Sequence, residues 1–217
     1  MSIYEILDYL YLFFFGFIFV PLGVGLFRWK SLNLAGRIAM GFLASVLVIE
    51  VLKDTLSVFH IRNHFMYYPH TVFVFAFSTC FFYKMAGPNV VLKKWLIYTY
   101  VAIILFLPLE VWVISGFNQI NTITQTLSYL NMIGVSGYFL KELLLNKRSS
   151  VLSQDYRFWF CAAFFTLSLF SVITSFFKKQ FIESSLDLYY FFDMLTVIGG
   201  ATAFILFAIG FIVTPKK

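Results

Sequence analysis

The chain has 217 residues, of which 61% are hydrophobic and 12% are charged, with a formal net charge of +6. Soluble domains carry about 45–50% apolar and about 25% charged residues. A soluble fold of this size cannot bury so much apolar surface, because small domains have a high ratio of surface to volume. The composition excludes a disordered chain, a disulfide scaffold and a nucleic-acid-binding domain, and it predicts an integral membrane protein.

Seven apolar runs are long enough to cross a bilayer as helices, which takes about 20 residues for about 30 Å of hydrocarbon. They lack the alternation of barrel strands, and a helix satisfies its own backbone polar groups in lipid. We therefore predict an all-α, polytopic seven-helix bundle, a single transmembrane domain over residues 1–217. The predicted spans are 6–27, 36–58, 67–86, 95–115, 122–144, 157–177 and 188–213.

The breaks between these runs follow in chain order. The first run is preceded by Glu5 rather than by a basic segment, so we expect a retained first span and no cleavable signal peptide. Basic residues, Gly, Pro and Asn then separate neighbouring runs. The clearest breaks lie at 28–31, 86–89, 116–118 and 178–180.

Basic residues predict the orientation, because Lys and Arg concentrate on cytoplasmic loops. Twelve of the sixteen fall on the side that also holds the C-terminus, and Arg62, Lys178 and Lys179 fall on the other. We expect the N-terminus outside and the C-terminus in the cytoplasm of a bacterial inner membrane. Tyr67, Tyr189 and Tyr190 are predicted as outer interface anchors.

Ionisable residues within spans are costly and indicate function by default. With this orientation, the candidates all lie in the outer half of the bundle, which suggests a polar chamber open to the outside. They are Glu50, Lys53 and Asp54 in span 2, His70 at the start of span 3, Glu110 in span 4 and Asp193 in span 7.

Span 5 is the least hydrophobic run. Asn121, Thr124, Gln125 and Ser128 share one helical face, which should turn into the bundle rather than to lipid. We include Gln125 and Asn131 among the candidate ligand-binding residues of the chamber.

Packing alone also explains these groups. Glu50 and Lys53 can pair at i,i+3, and Ser, Thr or Tyr side chains can satisfy Glu110 and Asp193. A metal site is a further alternative, with His64 and His70 joined by Glu50 or Asp54. Against it, His60 and His64, which are spaced i,i+4, belong to the short interfacial loop after span 2.

Several familiar seven-span chemistries are excluded. Retinal proteins need a Lys in the last span, and no Lys lies between Asp187 and Lys216. Zinc-dependent membrane hydrolases need His on several helices, and spans 4 to 7 contain none. We expect no resident cofactor and no catalytic site.

Two stretches carry a resemblance: 62–69, which opens span 3, and 155–160, which opens span 6 after the 138–143 end of span 5. With this span layout, the chain resembles uncharacterised bacterial inner-membrane proteins of six or seven spans. The resemblance implies a membrane module of the kind sometimes attached to sensor kinases.

The expected function is a stand-alone sensory or ligand-binding membrane module, with a small ligand or ion in the outer chamber. Its partners would be the lipid bilayer and a cytoplasmic or membrane signalling protein, and not nucleic acid. The alternatives are a metal-dependent membrane enzyme acting on lipid and a small ion-coupled transporter.

Overall fold

The computed structural model describes residues 3–61, 63–115, 121–145 and 152–215, and all of their side chains except those of 3–8, 115, 178–179, 181–184 and 186. All regular elements within these ranges are helical. The eight α-helices are α1 (Ile3–Gly16), α2 (Phe19–Phe27), α3 (Leu34–Val58), α4 (Tyr67–Met85), α5 (Val90–Leu109), α6 (Thr122–Leu145), α7 (Tyr156–Ser184) and α8 (Leu186–Val213).

Polar side chains begin several of these helices. The side-chain oxygen of Asn33 accepts a hydrogen bond from the Gly36 amide at 2.9 Å, and that of Asn89 accepts one from the Leu92 amide at 3.0 Å. Each bond satisfies a backbone donor that the first helical turn leaves without a partner. The turn before α5 uses Gly87 at φ +53°, a conformation that glycine adopts at no steric cost.

The predicted first span is two helices rather than one, because α1 ends at Gly16 and α2 begins at Phe19. Pro21 explains the interruption. Its ring nitrogen has no hydrogen to donate to the carbonyl of Phe17, four residues earlier, and its ring crowds that carbonyl. The backbone amides of Phe17 and Ile18 instead bond three residues back, as in a tight turn.

One other predicted boundary is wrong. Helix α7 continues through 178–180, where we expected a break, and ends at Ser184. Helix α8 then begins at Leu186 after a single residue, Ser185, whose hydroxyl caps it at the Leu188 amide. At the end of α5, the helix widens into a π-helical segment, Glu110–Ser115, two residues after Pro108.

Six helical segments of the described chain are long and apolar enough to cross a membrane, which makes the protein a multi-pass membrane protein by length and composition. They correspond to α1 with α2, and to α3, α4, α5, α7 and α8. Helix α6 is as long as these but falls below their hydropathy. As predicted, its polar face turns inward, since Asn121, Thr124, Gln125 and Ser128 are all buried.

The core of the bundle is aromatic. Phe42 of α3 meets Phe164 of α7 at 4.9 Å between ring centroids, and Phe164 meets Phe207 of α8 at 5.0 Å. Lipid tails are as apolar as these side chains, so close packing rather than water exclusion selects the contacts between helices. Phe42 also lines a cavity with polar walls at one end of the bundle.

Helices α7 and α8 form the closest pair. A Cβ built on Gly199 would lie 2.3 Å from the Phe170 ring, and one built on Gly210 would lie 2.5 Å from the Phe160 ring. Threonines tie the same pair together, because the Thr174 hydroxyl donates to the Phe192 carbonyl at 3.2 Å and the Thr196 hydroxyl donates to the Phe170 carbonyl at 3.2 Å.

Candidate functional site

A cavity of about 550 Å³ lies at one end of the bundle, where α3 and α7 finish and α4, α6 and α8 begin. Helices α1, α3, α4, α6, α7 and α8 all contribute to its lining. Its volume falls within the range of roughly 300–1,000 Å³ typical of small-molecule sites.

The wall formed by α3 and α4 carries the charged groups. The Lys53 ammonium donates to both carboxylate oxygens of Glu50, at 2.9 and 2.8 Å. It also lies 4.3 Å from the ring centroid of Tyr67, close enough for a cation–π interaction. The Nε2 atom of His70 stands 4.0 Å from Glu50 Oε1. This wall thus joins a carboxylate, an ammonium, an imidazole and an aromatic face.

The loop between α3 and α4 contacts this wall through Asn63. The Asn63 side chain donates to the backbone carbonyl of Lys53 at 3.1 Å, and Asn63 itself lines the cavity. His60, within this loop, has φ +55°, which turns the chain back after α3. Asp54 and Ser57 lie at the exposed rim.

The opposite wall comes from the second half of α7 and the first half of α8. Helix α7 contributes Ser171, Thr174 and Ser175, and α8 contributes Asp193, Thr196 and two tyrosines. The three α7 residues are spaced i, i+3, i+4, so they share one helical face.

Tyr11 of α1 also lines the cavity. It is within electrostatic range of the carboxylates of Glu50, Asp54 and Asp193. The three acidic side chains therefore surround one shared space, although they come from two helices far apart in the sequence.

The inner end of the cavity is apolar, and we call it the floor. Gln125 and Tyr129 of α6 are buried on one side, and below them the lining becomes aliphatic and aromatic. The floor residues are Phe15, Phe42, Val46, Val74, Leu167 and Phe204. A ligand here would meet polar groups at its outer end and apolar groups at its inner end.

The structure brings together most of the residues that the sequence singled out. The candidates that line the cavity are Glu50, Lys53, Asp54, His70, Gln125 and Asp193.

Glu110 lies elsewhere, in contrast to the single chamber that we expected. Its fully buried carboxylate accepts hydrogen bonds from the amides of Ile123 and Thr124, at 2.9 and 2.7 Å, and from the Thr124 hydroxyl. It caps the N-terminus of α6, where the helix dipole favours a negative charge. Asn131 also lies outside the lining, two turns further along α6 than Gln125.

The histidine pair of the metal alternative is split. His70 is buried and lines the cavity, whereas His64 is exposed in a short 3₁₀ turn and does not line it. Over the described ranges, no three His, Cys, Asp or Glu residues are grouped so that they could hold a metal ion.

Sequence reasoning missed several lining residues. Tyr67, Tyr189 and Tyr190 were interpreted as interface anchors, but they line the cavity. The serine and threonine face of α7 was overlooked, although its i, i+3, i+4 spacing was a usable signal. Tyr11 and Asn63 carried no such signal, because only the packing of α1 and of the loop beside α3 brings them to the cavity.

Comparisons with protein-family models, with curated proteins and with solved structures found no match for this chain.

Proposed function

We propose that this chain is a seven-span sensory or ligand-binding membrane module, with a ligand chamber that opens toward the outside of a bacterial inner membrane. The observation that carries the proposal is the cavity itself, in which ionisable side chains from α3, α4 and α8 surround one space above an apolar floor. Ionisable groups are retained at such depth in a membrane protein chiefly where they serve a function.

The seventh span in this proposal is α6. With 24 residues it is long enough to cross the hydrocarbon layer. Its polar face is buried, and it packs against α4, α5 and α7. A helix inside a bundle needs less hydrophobicity than one surrounded by lipid, so its lower hydropathy is compatible with spanning.

The orientation rests on the charges at the two ends of the bundle. The end opposite the cavity carries Arg28, Lys30, Arg37, Lys84, Lys93, Lys94, Lys141 and Arg157. By the positive-inside rule this end is cytoplasmic, so the cavity faces outward.

Helix α8 connects the two ends. Asp193, Thr196 and Gly200 line the cavity near its start. At its other end, the Arg28 guanidinium donates to the carbonyls of Phe211 and Thr214, at 2.9 and 2.8 Å, and to that of Ile212. A ligand that favours one position of α8 would shift the population of that position at the basic end, where a signalling partner would bind.

A cavity-blocking variant tests ligand binding. A Cβ on Gly200 would meet no neighbouring atom within 4 Å, so Gly200→Leu would extend into the cavity that Gly200 lines. Gly134 of α6 has the same open surroundings but is exposed on the outside, so Gly134→Leu is the matched control.

The measurement is thermal unfolding of the purified protein against a library of polar metabolites. We expect at least one compound to stabilise the parent and Gly134→Leu but not Gly200→Leu, because ligands that bind the folded state raise its stability. If no compound distinguishes the two glycine variants, the chamber is not a ligand site.

Cysteine labelling in intact cells tests the orientation. The background removes Cys80 and Cys161, and single cysteines replace Ser57 at the cavity rim or Ser31 at the basic end. We expect a membrane-impermeant thiol reagent to label Ser57→Cys in intact cells and Ser31→Cys only after permeabilisation. The reverse pattern would overturn the outward-facing chamber.

An ion-coupled transporter is the second candidate, and one observation favours it. The first span is interrupted between Gly16 and Phe19, one turn from the cavity-lining Phe15. Interrupted spans beside a binding site are typical of secondary transporters. Substrate flux into proteoliposomes driven by a proton or sodium gradient would favour this candidate over a sensor.

A further inference from the structure

We propose that the cavity binds an organic cation, an amine whose protonated ammonium group lies among the carboxylates and whose apolar part lies on the floor. The inference rests on the proposed ligand-binding function and names the chemical class of its ligand. It follows from the charge balance, the aromatic groups and the polarity gradient of the lining.

Among the residues that the structure describes, the charge balance of the lining is negative. Three carboxylates, those of Glu50, Asp54 and Asp193, face one ammonium, that of Lys53, and one imidazole, that of His70. Opposite charges are strongly attracted where water is partly excluded, and an anionic ligand would add a like charge to this space. The lining therefore discriminates by charge in favour of cations.

The α3–α4 wall already shows how the protein itself holds a cation here. The Lys53 ammonium sits between the Glu50 carboxylate and the face of Tyr67, with contacts of 2.8 Å and 4.3 Å. A carboxylate combined with an aromatic face is the arrangement that recognises ammonium groups in proteins.

Helix α8 repeats this combination across the cavity. Asp193 follows Tyr189 by four residues and Tyr190 by three, so the carboxylate and both rings share one helical face. All three line the cavity, and α8 contributes no Lys or Arg to the lining. We infer that the ammonium of the ligand lies against this face, opposite Lys53.

The floor determines the rest of the ligand. Phe42, Leu167 and Phe204 lie below the polar groups, and Gly200 leaves space between the two regions. Burial of apolar ligand surface contributes affinity at about 25 cal/mol per Å². A small hydrophilic cation would leave this floor uncovered, so the geometry points to an amine that carries an aromatic or aliphatic group.

Three probes of similar shape and different charge test the inference: phenethylamine, 2-phenylethanol and 3-phenylpropionate. Each is titrated by calorimetry into the full chain in phosphatidylglycerol nanodiscs. We expect phenethylamine to bind at least ten-fold more tightly than the neutral or the anionic probe, which corresponds to about 1.4 kcal/mol. Equal or tighter binding of either other probe overturns the inference, as does the absence of phenethylamine binding.

Charge variants locate the ammonium group. Asp193→Asn should weaken phenethylamine binding at least ten-fold, whereas Asp187→Asn, on the same helix but outside the lining, should leave it unchanged. If Asp193→Asn fails to fold, Asp54→Asn at the exposed rim provides the test, with an expected loss of a few fold. Unchanged binding in the folded lining variant overturns the inference.

An ammonium group can reach this site as a free amine or as the ethanolamine headgroup of a lipid. Nanodiscs that contain phosphatidylethanolamine separate the two sources, because a bound headgroup would compete with phenethylamine and lower its apparent affinity. Unchanged affinity assigns the site to free amines.

The outcomes also separate this inference from the proposed function. If a library compound that is not a cation stabilises the parent and Gly134→Leu but not Gly200→Leu, the chamber is a ligand site and the cation class is wrong. If Gly200→Leu binds every compound as the parent does, the proposed function itself fails.

Discussion

Lys53 donates to both carboxylate oxygens of Glu50, one helical turn earlier on α3, and the two side chains retain 11% and 13% of their exposure. His70 of α4 approaches the same carboxylate at 4.0 Å. The pair therefore places one compensated negative charge at the wall of the cavity. The contact with His70 also links α3 to α4.

Breaking this pair on one side should cost more than removing both partners. Lys53→Met leaves the Glu50 carboxylate without its ammonium, and we expect a loss of about 3 kcal/mol, the lower end of the range for buried pairs. The double variant Glu50→Met with Lys53→Met should recover most of that loss, because no charge is then left uncompensated. Reversible unfolding in mixed micelles measures both, and additive losses would contradict the coupling.

Adjacent glycines on α8 should respond differently to one added methyl group. Gly199→Ala places a Cβ 2.3 Å from the Phe170 ring, whereas a Cβ on Gly200 meets no neighbouring atom within 4 Å. We expect Gly199→Ala to destabilise the protein by about 1–3 kcal/mol through overpacking and Gly200→Ala to have little effect.

Thermal unfolding of the two glycine variants provides the measurement. Combining Gly199→Ala with Phe170→Leu should restore part of the lost stability, because the smaller side chain removes the clash. Equal melting temperatures for Gly199→Ala and Gly200→Ala would show that the α7–α8 contact is looser than described.

Glu110 should stabilise α6 rather than bind ligand. Glu110→Ala leaves the part-buried amide of Ile123 and the buried amide of Thr124 without their acceptor, at a cost of about 1–3 kcal/mol for the buried donor and less for the other. Glu110→Gln keeps one side-chain oxygen and should lose less. Unfolding free energies rank the parent, Gln and Ala forms, and phenethylamine titration of the Gln form should match the parent. A selective loss of phenethylamine binding in the Gln form would show that Glu110 takes part in ligand binding.

Arg28 should hold the C-terminal end of α8. Its planar guanidinium reaches the carbonyls of Phe211, Ile212 and Thr214 together, which the ammonium of a Lys cannot reproduce. We expect Arg28→Lys to weaken this end of the helix by about 1–2 kcal/mol, a factor of roughly 5–30 in local opening. Hydrogen exchange of the amides near Thr214 measures it, and Lys30→Ala, at a neighbouring exposed residue, is the control. Similar exchange in both variants would contradict the cap.

Membrane insertion and the approximate helix positions could be predicted from the sequence because hydropathy is local. The hydropathy of a run depends only on the residues within it, so the spans that became α3, α4 and α8 were located to within a few residues. The polar face of α6 was likewise predictable from the spacing of Asn121, Thr124, Gln125 and Ser128, since those groups are costly to expose to lipid.

Helix ends were harder to predict where the sequence carries mixed signals. Lys178 and Lys179 are residues typical of a loop between spans. Helix α7 nevertheless includes them, because nothing in the backbone prevents the helix from continuing. Pro21 has the opposite effect, because its missing N–H and its ring interrupt a run that hydropathy alone treats as one span.

Hydropathy and the placement of charges were enough to predict a helical, multi-pass membrane protein with a few ionisable residues at similar depth. Which of these residues share a space depends on how the helices pack: Glu50, Asp54 and Asp193 line one cavity, whereas Glu110 caps α6. The reason is that lipid and neighbouring helices are equally apolar, so hydropathy does not specify how each helix is rotated about its axis. That rotation is set by close packing, as between Gly199 and Phe170, and by polar contacts such as Thr174 to α8.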